Sequence, residues 1–443
     1  TPLFPHNSII FNHLLKYVDH FKLNKYIKLS TSVKKIVKKN GKWHISYNKN
    51  DNNYNDIFDK VIICTGVHQE PNIPKDNMFD NFYKSSRIIH SSQYEKNKYK
   101  FKNKRILIIG GGETSHDIAM DLVNHTNRKI YISIKNGQWF LGKILEANEA
   151  ADLNYNRLSE FFRHKGTLSI YKFIQTEMWG YGGSGIKEWV PKSFYGDSYF
   201  TKGREIMTWI SKGMIEPCSG ITSIHGNKIS FGNKESEFDY IILSTGYKTS
   251  YLSKLLLNVK HDQFNYKHIF NTDDNTLSYC GFIRPIIGSI PMISELQAIL
   301  ISLVYSNKIK LIDKNQQIKD IKLLDKNNTD RLKNIVFTYE YCDELATLIG
   351  NKPSFFNLFF TNHLLFWRTL VYPWTQYHYT ITSKDKKLRQ TAKEQINIIN
   401  NSKGGRRLFS YTSSIIFIII YLIIYRKYDL LIISLIIVYL QFK

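Results

Sequence analysis

The segment Lys104–Asp121, KRILIIGGGETSHDIAMD, decides the fold of this chain. It begins with Ile106–Ile109, a short uninterrupted apolar run that is typical of a parallel strand covered on both faces. Three glycines follow at once, and the apolar residues of Ile118–Val123 then recur at helical spacing. The segment therefore predicts a strand, a tight turn and a helix, in the order found in dinucleotide-binding units.

The glycine turn has the spacing GxGxxS, formed by Gly110, Gly112 and Ser115. In such a turn the first glycine permits the bend, the second lets the backbone approach a pyrophosphate, and the third position takes a small residue. Backbone N–H groups at the start of the helix would face the phosphates. A glycine triplet also occurs in ordinary loops and in methyltransferases, but the flanking strand and helix favour dinucleotide binding.

A second strand is predicted at Lys129–Lys135, where a dinucleotide-binding unit carries the residue that contacts the ribose. An acidic residue there favours NAD, and a basic residue accommodates the 2′-phosphate of NADP. Lys135 is basic, which favours NADP. The alternative is that Lys135 is only one of the 61 Lys and Arg residues of the chain.

The 443 residues suffice for two domains, and the formal net charge is +24. Such a charge is often associated with nucleic acid or membrane partners. The lysines are spread along the chain and form no basic module interleaved with aromatic residues, so we expect no nucleic-acid partner.

Four cysteines, Cys64, Cys218, Cys280 and Cys342, lie far apart without a CxxC pair. This spacing argues against a structural zinc site and against a dithiol oxidoreductase, and it is consistent with a reducing compartment; we expect no metal site. Cys64 lies in an apolar run and is expected to be a small core residue.

Two apolar runs, Asp59–Gly66 and Asp239–Tyr247, end in the same dipeptide, as Thr65-Gly66 and Thr245-Gly246. The pair indicates two nucleotide-binding subdomains. Upstream, the pattern predicts short strands near Ile27–Leu29 and Trp43–Tyr47. The first 23 residues predict a packed helix with one apolar stripe, made of Ile10, Leu14, Tyr17, Val18 and Phe21.

Together with the segment Gly281–Ala298, GFIRPIIGSIPMISELQA, these features resemble the flavin-containing monooxygenases. The resemblance extends from about Pro2 to about Tyr379. It implies an α/β fold with two dinucleotide-binding, Rossmann-like domains, the NADP domain being inserted in the FAD domain.

The family signature FxGxxxHxxxY/F can be placed on Lys84–Tyr94, KSSRIIHSSQY. His90 and Tyr94 match and are the catalytic candidates that the resemblance implies, whereas Lys84 and Ser86 depart from the signature. The alternative for His90 is a hydrogen-bonded interdomain histidine without a direct catalytic part. Tyr94 in place of Trp favours oxygenation of amines and sulfides over Baeyer–Villiger chemistry.

The resemblance also implies the cofactors. NADPH would lie on the glycine turn with Glu113 and Thr114, although Glu113-Thr114-Ser115 departs from the commoner Asn-Ser-Gly. Further cofactor contacts are expected at the two Thr-Gly dipeptides. In this family NADPH reduces FAD, the reduced flavin and O2 form a C4a-hydroperoxide, and a soft nitrogen or sulfur nucleophile takes its distal oxygen.

The carboxy terminus carries an uncharged 18-residue segment, Leu408–Tyr425, and a second apolar run, Leu430–Phe442. The first is just long enough to span a membrane. Flanking basic residues predict that the globular part faces the cytosol, and the resemblance implies the endoplasmic reticulum. The predicted domains are an FAD domain (1–100 and 251–382), an NADP-binding domain (101–250), a basic linker (383–407) and a membrane anchor, single or hairpin (408–443).

The family also has a second GxGxxG motif, and none precedes Phe4. We therefore expect a fragment, or else a natural truncation that holds flavin poorly. Two alternative functions follow. The chain could be a non-catalytic, membrane-tethered nucleotide-binding remnant, or a Baeyer–Villiger-type monooxygenase.

Overall fold

A computed structural model describes residues 5–75, 77–143, 150, 156–157, 185–192, 200–248, 250–259, 265–285, 288–325, 335–373 and 375–401. The chain divides into two compact units. Unit 1 comprises Thr1–Lys143, Lys172–Ile283 and Val304–Ile335, and unit 2 comprises Ile144–Tyr171, Arg284–Leu303 and Val336–Lys443. The five-part division predicted from the sequence stays a prediction.

Within these ranges the helices are α1 Asn7–His20, α2 Asp80–Lys84, α3 Tyr94–Asn97, α4 Glu113–Val123, α5 Met207–Ser211, α6 Tyr251–Leu255, α7 Ile290–Tyr305, α8 Lys314–Asp325, α9 Thr338–Ile349, α10 Phe355–Thr361, α11 His363–Val371, α12 Tyr377–Thr380 and α13 Lys386–Asn401. The strands are β1 Thr31–Lys39, β2 Lys42–Lys49, β3 Asn52–Phe58, β4 Val61–Ile63, β5 Glu70–Pro71, β6 Ile88–His90, β7 Ile106–Ile109, β8 Ile130–Ser133, β9 Trp139–Leu141, β10 Phe200–Lys202, β11 Ile215–Cys218, β12 Ser223–His225, β13 Lys228–Phe231, β14 Lys234–Glu237, β15 Tyr240–Leu243, β16 Tyr247–Lys248, β17 Leu256–Leu257, β18 Leu277–Tyr279, β19 Arg284–Pro285 and β20 Ile335–Val336.

The centre of unit 1 is a parallel sheet with the strand order β11-β8-β7-β15-β6. Its middle strand β7 is the predicted apolar run. Ile106 and Ile108 pack on one face with Leu122 of α4, and Leu107 packs on the other face with Phe238. Because successive side chains of a strand point to opposite faces, a continuous apolar run is what a doubly covered strand requires.

The direction in which the strands are added reverses at β7. The chain passes from β7 through α4 to β8 on one side, whereas β15 pairs with β7 on the other side. In open parallel sheets, ligands bind outside the carboxyl ends of the strands at this kind of reversal. The predicted glycine turn lies there.

A second part of unit 1 contains the antiparallel strands β1, β2 and β3, with β17 parallel to β1, and the parallel pair β4–β18. The strand predicted near Ile27–Leu29 is wrong, because β1 begins only at Thr31. The strand predicted near Trp43–Tyr47 is confirmed within β2. Trp43 is buried, and its indole N–H donates to the Thr276 hydroxyl over 2.9 Å.

Unit 2 contains polar contacts between buried and half-buried groups. The Arg157 guanidinium donates to both carboxylate oxygens of Asp343 over 2.6 and 2.8 Å, and the Tyr379 hydroxyl donates to the same carboxylate over 2.8 Å. The buried amide of Gln297, on α7, donates to the Tyr341 hydroxyl of α9 over 2.8 Å. Buried ionic groups require such partners.

Two expectations about burial are wrong. The apolar stripe of α1 is exposed: Ile10, Leu14, Tyr17 and Phe21 are each about half exposed, because α1 buries no residue against the described part of the chain. Cys64 is also exposed, since β4 ends at Ile63 and the cysteine lies just beyond the buried strand.

No helix among the described ranges is long and apolar enough to cross a membrane. The predicted membrane segments, at 408–443, lie outside the described residues.

Candidate dinucleotide-binding site

Gly110 makes the tight bend after β7. Its φ is +131°, and a Cβ atom at this position would lie 2.3 Å from the carbonyl oxygen of Ser244. The Gly110 N–H donates to the Ser133 carbonyl over 3.0 Å, which fixes the bend between β15 and β8. Only glycine combines this backbone conformation with so close an approach of the neighbouring strand.

Gly112, unlike Gly110, has open space around it. It is the N-cap of α4, its φ is −80°, and a Cβ atom there would meet nothing within 4 Å. As a glycine, this N-cap residue has no side chain that could accept a hydrogen bond from the first turn of the helix. The exposed residues Gly112 and Thr114 and the half-buried Glu113 therefore present backbone N–H groups and the positive end of the helix dipole toward open space. This arrangement can bind a phosphate.

The buried side chains of Ser115 and His116 form hydrogen bonds to the glycine turn. The Ser115 hydroxyl and the His116 Nδ1–H both donate to the Gly112 carbonyl, over 2.6 and 2.7 Å. Burial lowers the pKa of His116 to about 4, so the ring is neutral at pH 7. Its Nε2 atom is buried without a hydrogen-bond partner in the described structure. Sequence reasoning missed His116, because nothing in its local pattern indicates a role in the turn.

Glu113 introduces a negative charge in the first turn of α4. Its carboxylate accepts a long hydrogen bond, 3.4 Å, from the backbone N–H of Lys202. The neighbouring Thr201 hydroxyl donates to the Gly111 carbonyl over 2.6 Å, which ties β10 to the glycine turn. An acidic side chain is stabilised by the helix dipole but repels a phosphate, so a phosphate here would be held by the backbone N–H of Glu113 and not by its carboxylate.

Lys135 is exposed and lies two residues beyond β8. It is therefore at the carboxyl ends of the strands, where the glycine turn also lies. The loop after it is held closely, since a Cβ atom on Gly137, whose φ is +68°, would lie 1.9 Å from the Val190 carbonyl oxygen. The backbone N–H of Lys192 donates to the Asn136 carbonyl over 3.0 Å. Lys192 is therefore a second exposed cation beside this loop, and its position 57 residues after Lys135 gives no local sequence signal of this proximity.

The strand pair β5–β16 joins the segments that follow the two Thr-Gly dipeptides. The Thr245 hydroxyl donates to the Asn72 carbonyl over 2.5 Å, and the Asn72 N–H donates to the Gly246 carbonyl over 2.8 Å. The Thr65 hydroxyl lies 2.8 Å from the hydroxyl of Tyr251, which also donates to the Gly66 carbonyl. Both threonine hydroxyls therefore make hydrogen bonds that stabilise the two turns.

The glycines of these turns remain accessible. Gly66 and Gly246 have φ values of +69° and +79°, and a Cβ atom on either would meet nothing within 4 Å. A flat cofactor ring or a phosphate could therefore approach the backbone at both turns. The predicted residues Thr65, Gly66, Thr245 and Gly246 fit a cofactor through their backbone groups.

His90 is buried at the end of β6. Its Nε2–H donates to the Gly246 carbonyl over 3.0 Å, and its Nδ1 accepts from the Ser92 N–H over 3.2 Å. Burial lowers the pKa of His90, which keeps the ring neutral. Both ring nitrogens have partners, so the geometry favours a hydrogen-bonded histidine that holds the second Thr-Gly turn.

Tyr94 is buried and connects α3 to α4. Its hydroxyl donates to the Asp121 carboxylate over 2.6 Å, and Lys98 lies 2.7 Å from the same carboxylate. Burial and the hydrogen bond to Asp121 raise the pKa of the Tyr94 phenol. The signature residue Tyr94 therefore anchors the helix that carries the glycine turn.

The doubly covered parallel sheet, the bend at Gly110 and the uncapped α4 define a dinucleotide-binding α/β protein. The family model described as "Flavin-binding monooxygenase-like" matches residues 1–439. Flavin-containing monooxygenase 5 of Oryctolagus cuniculus is 28% identical over 408 residues, covering 87% of this chain and 75% of that protein.

Solved structures show the likeness in fold. Tmm from Pelagibacter sp. strain HTCC7211 superposes with a TM-score of 0.51 at 20% identity, covering 78% of this chain and 65% of that one. Cyclohexanone monooxygenase from Rhodococcus sp. Phi1, bound to NADP+, superposes with a TM-score of 0.56 at 12% identity, covering 76% and 82%.

This chain belongs to the flavin-binding monooxygenase-like family. It is accordingly a flavoprotein oxidoreductase of the monooxygenase type, with FAD and NADPH as its cofactors. The family predicted from the sequence is confirmed.

Proposed function

We propose that this protein uses NADPH and FAD to insert one oxygen atom of O2 into a soft nitrogen or sulfur nucleophile of a small molecule. The observation that carries the proposal is the uncapped start of α4, where Gly112 faces open space directly after the bend at Gly110. A backbone that leaves its N–H groups unpaired at this position is suited to a pyrophosphate.

The NADPH side of the site consists of groups with free access. Backbone N–H groups at Gly112, Glu113 and Thr114 would hold the diphosphate, and Lys135 with Lys192 would hold the 2′-phosphate of the ribose. The FAD side would use the backbone of Thr65-Gly66 and Thr245-Gly246. When bound, NADPH supplies a hydride and FAD activates O2.

The protein's own contribution is placement rather than acid–base chemistry. His90 holds the carbonyl of Gly246, and Tyr94 holds α4 through Asp121. Neither side chain is free to exchange a proton with a substrate, because each is buried and hydrogen-bonded. A soft nucleophile needs no general base, so the proposal requires only that the cofactors are positioned and water is excluded.

The membrane part of the proposal rests on the sequence alone. The apolar segments at 408–443 would attach the chain to a membrane, which we propose to be that of the endoplasmic reticulum with the globular part on the cytosolic side. The basic residues of 383–407 would lie at the membrane surface.

The test is an oxygenation assay on detergent-purified protein, with NADPH oxidation and product formation measured together. A tertiary amine, a thioether and a cyclic ketone are offered separately. We expect N-oxide or S-oxide formation stoichiometric with NADPH oxidation, without ester from the ketone. Ester formation would instead identify a Baeyer–Villiger enzyme, and NADPH binding without flavin absorbance or product would identify a non-catalytic nucleotide-binding protein.

Lys135→Ala sharpens this test. We expect it to reduce the preference for NADPH over NADH about ten-fold, because a charge-assisted contact to the 2′-phosphate is lost. Lys129→Ala is the matched control, since Lys129 lies at the other end of the same strand and pairs with Glu216 over 3.2 Å. An equal effect of the two variants would contradict the assignment of Lys135.

A further inference from the structure

Two of the four cysteines come together although 216 positions separate them in the sequence. Cys64 directly follows β4 and Cys280 directly follows β18, and these strands pair in parallel with Ile63 opposite Tyr279. The Cys280 N–H donates to the Ile63 carbonyl over 2.9 Å, so the ladder continues to the cysteines. Cys64 and Cys280 are therefore the next pair in register.

The register gives the two side chains a geometry suited to a bond between them. Opposite residues of parallel strands point to the same face, and neighbouring strands lie about 4.8 Å apart. Disulfides span Cα separations of about 4.4–6.8 Å. The Cys280 side chain is a hydrogen-bond partner of the Cys64 thiol, and neither cysteine is in a disulfide.

The reactivity of the cysteines differs. Cys64 is exposed, and the hydrogen bond with Cys280 lowers its pKa to about 7. Burial instead raises the pKa of Cys218 to about 12, and Cys342 is also buried. Since the thiolate is the nucleophile and exposure controls its access, Cys64 is the reactive thiol of the described residues.

We propose that Cys64 and Cys280 form a redox pair, in which Cys64 reacts with a peroxide and Cys280 closes a reversible disulfide. This pair is independent of the proposed monooxygenase reaction. It lies at the carboxyl ends of β4 and β18, and the next residue after Cys64 is Thr65 of the first Thr-Gly turn. The disulfide would lock the end of β4 to β18 beside that turn.

The chemistry balances with hydrogen peroxide as the oxidant. The Cys64 thiolate attacks one peroxide oxygen, the O–O bond breaks, and the sulfenic acid forms as hydroxide leaves and takes a proton to become water. The Cys280 thiol then attacks the Cys64 sulfur, the S–O bond breaks, and a second water leaves. Two thiols are oxidised and one peroxide is reduced. A dithiol reductant reverses the bond by thiol–disulfide exchange.

The experiment treats the detergent-purified full chain with hydrogen peroxide, blocks remaining thiols with N-ethylmaleimide, and maps the peptides by mass spectrometry. We expect a Cys64–Cys280 cross-link that dithiothreitol removes. In Cys280→Ser, dimedone should instead trap a sulfenic acid at Cys64. Cys218→Ala is the matched control and should retain the cross-link.

A kinetic measurement on the unmodified protein makes the test independent of the variants. At pH 7, we expect maleimide to label Cys64 at least about ten-fold faster than Cys218, with a midpoint of the pH dependence near 7. Cross-links that join other cysteines, or over-oxidation of Cys64 without any cross-link in the wild-type chain, would overturn the proposal. Equal labelling of Cys64 and Cys218 would overturn it as well.

Discussion

The glycine turn Gly110–Gly112 and the signature segment His90–Tyr94 lie at the same sheet but use their polar groups in opposite ways. At the start of α4 the N-cap residue Gly112 makes no side-chain capping hydrogen bond, and a Cβ atom there would meet nothing within 4 Å. In the signature segment, both nitrogens of His90 and the hydroxyl of Tyr94 have internal partners. One region leaves groups available for a ligand, and the other uses them to hold the fold.

This difference distinguishes a motif that contacts a ligand from a motif that stabilises the surrounding fold. A binding motif is recognised in the structure by groups left without internal partners, since buried or helical polar groups are otherwise paired. A motif whose polar side chains all have internal hydrogen-bond partners instead positions the elements that form the site. We therefore propose that Gly112 contacts the ligand and that His90 and Tyr94 position the site.

The largest effect is expected from Gly110→Ala. A Cβ atom 2.3 Å from the Ser244 carbonyl oxygen must displace β15, and the φ of +131° adds strain. We expect a loss of roughly 2–6 kcal/mol of unfolding free energy, measured by urea denaturation. Gly112→Ala, in the same turn, is the control and should unfold like the wild type. Equal losses in both variants would remove the distinction between the two glycines.

The next largest effect concerns pH. The pKa of His116 is lowered by burial to about 4, from an unfolded value near 6.5, so the unfolded chain binds the proton first as pH falls. The stability contributed by the neutral ring is present above pH 6.5 and is lost between pH 6.5 and 4. At pH 5 the loss is about 2 kcal/mol.

His116→Phe tests this prediction, because it keeps an aromatic ring beside Phe140 and Trp189 and removes the titration. Its unfolding free energy should fall less than that of the wild type between pH 7 and pH 5. The charged groups near the ring, Asp117, Lys143 and Glu205, are unchanged in the variant. A pH dependence equal to that of the wild type would show that His116 is not the group responsible.

A smaller effect is expected from Tyr94→Phe. The variant loses the hydrogen bond to the Asp121 carboxylate, which costs about 1–2 kcal/mol of unfolding free energy, while Lys98 keeps the carboxylate paired. The turnover number should stay unchanged if Tyr94 only positions α4. Tyr99→Phe, at an exposed tyrosine nearby, serves as the control. A large loss of turnover at wild-type stability would instead make Tyr94 a catalytic residue.

Local patterns predicted the centre of the site. The apolar run Ile106–Ile109, the glycines and the helical spacing after them all act within 20 residues, and the structure places β7 and α4 as expected. The exposed α1 was not predictable in the same way. An apolar stripe shows which face could pack, but not which element covers it.

Contacts between distant residues could not be read from the sequence. The proximity of Cys64 and Cys280 follows from the pairing of β4 with β18, and the hydrogen bonds between Asn72 and the second Thr-Gly turn adjoin the pairing of β5 with β16. Each depends on the strand order of the whole unit rather than on spacing. His116 was missed for a related reason, since its role depends on the carbonyl of Gly112 and on burial beneath the turn.

The most direct test of the central claim is NADPH binding to Gly112→Ala, measured by isothermal titration calorimetry beside the wild type. The added methyl group occupies the open space at the start of α4, where the backbone at φ −80° accepts alanine without strain. We predict an unchanged unfolding midpoint and a dissociation constant raised at least ten-fold, equivalent to about 1.4 kcal/mol. An unchanged dissociation constant in the stable variant would contradict the account, because the phosphates would then lie elsewhere.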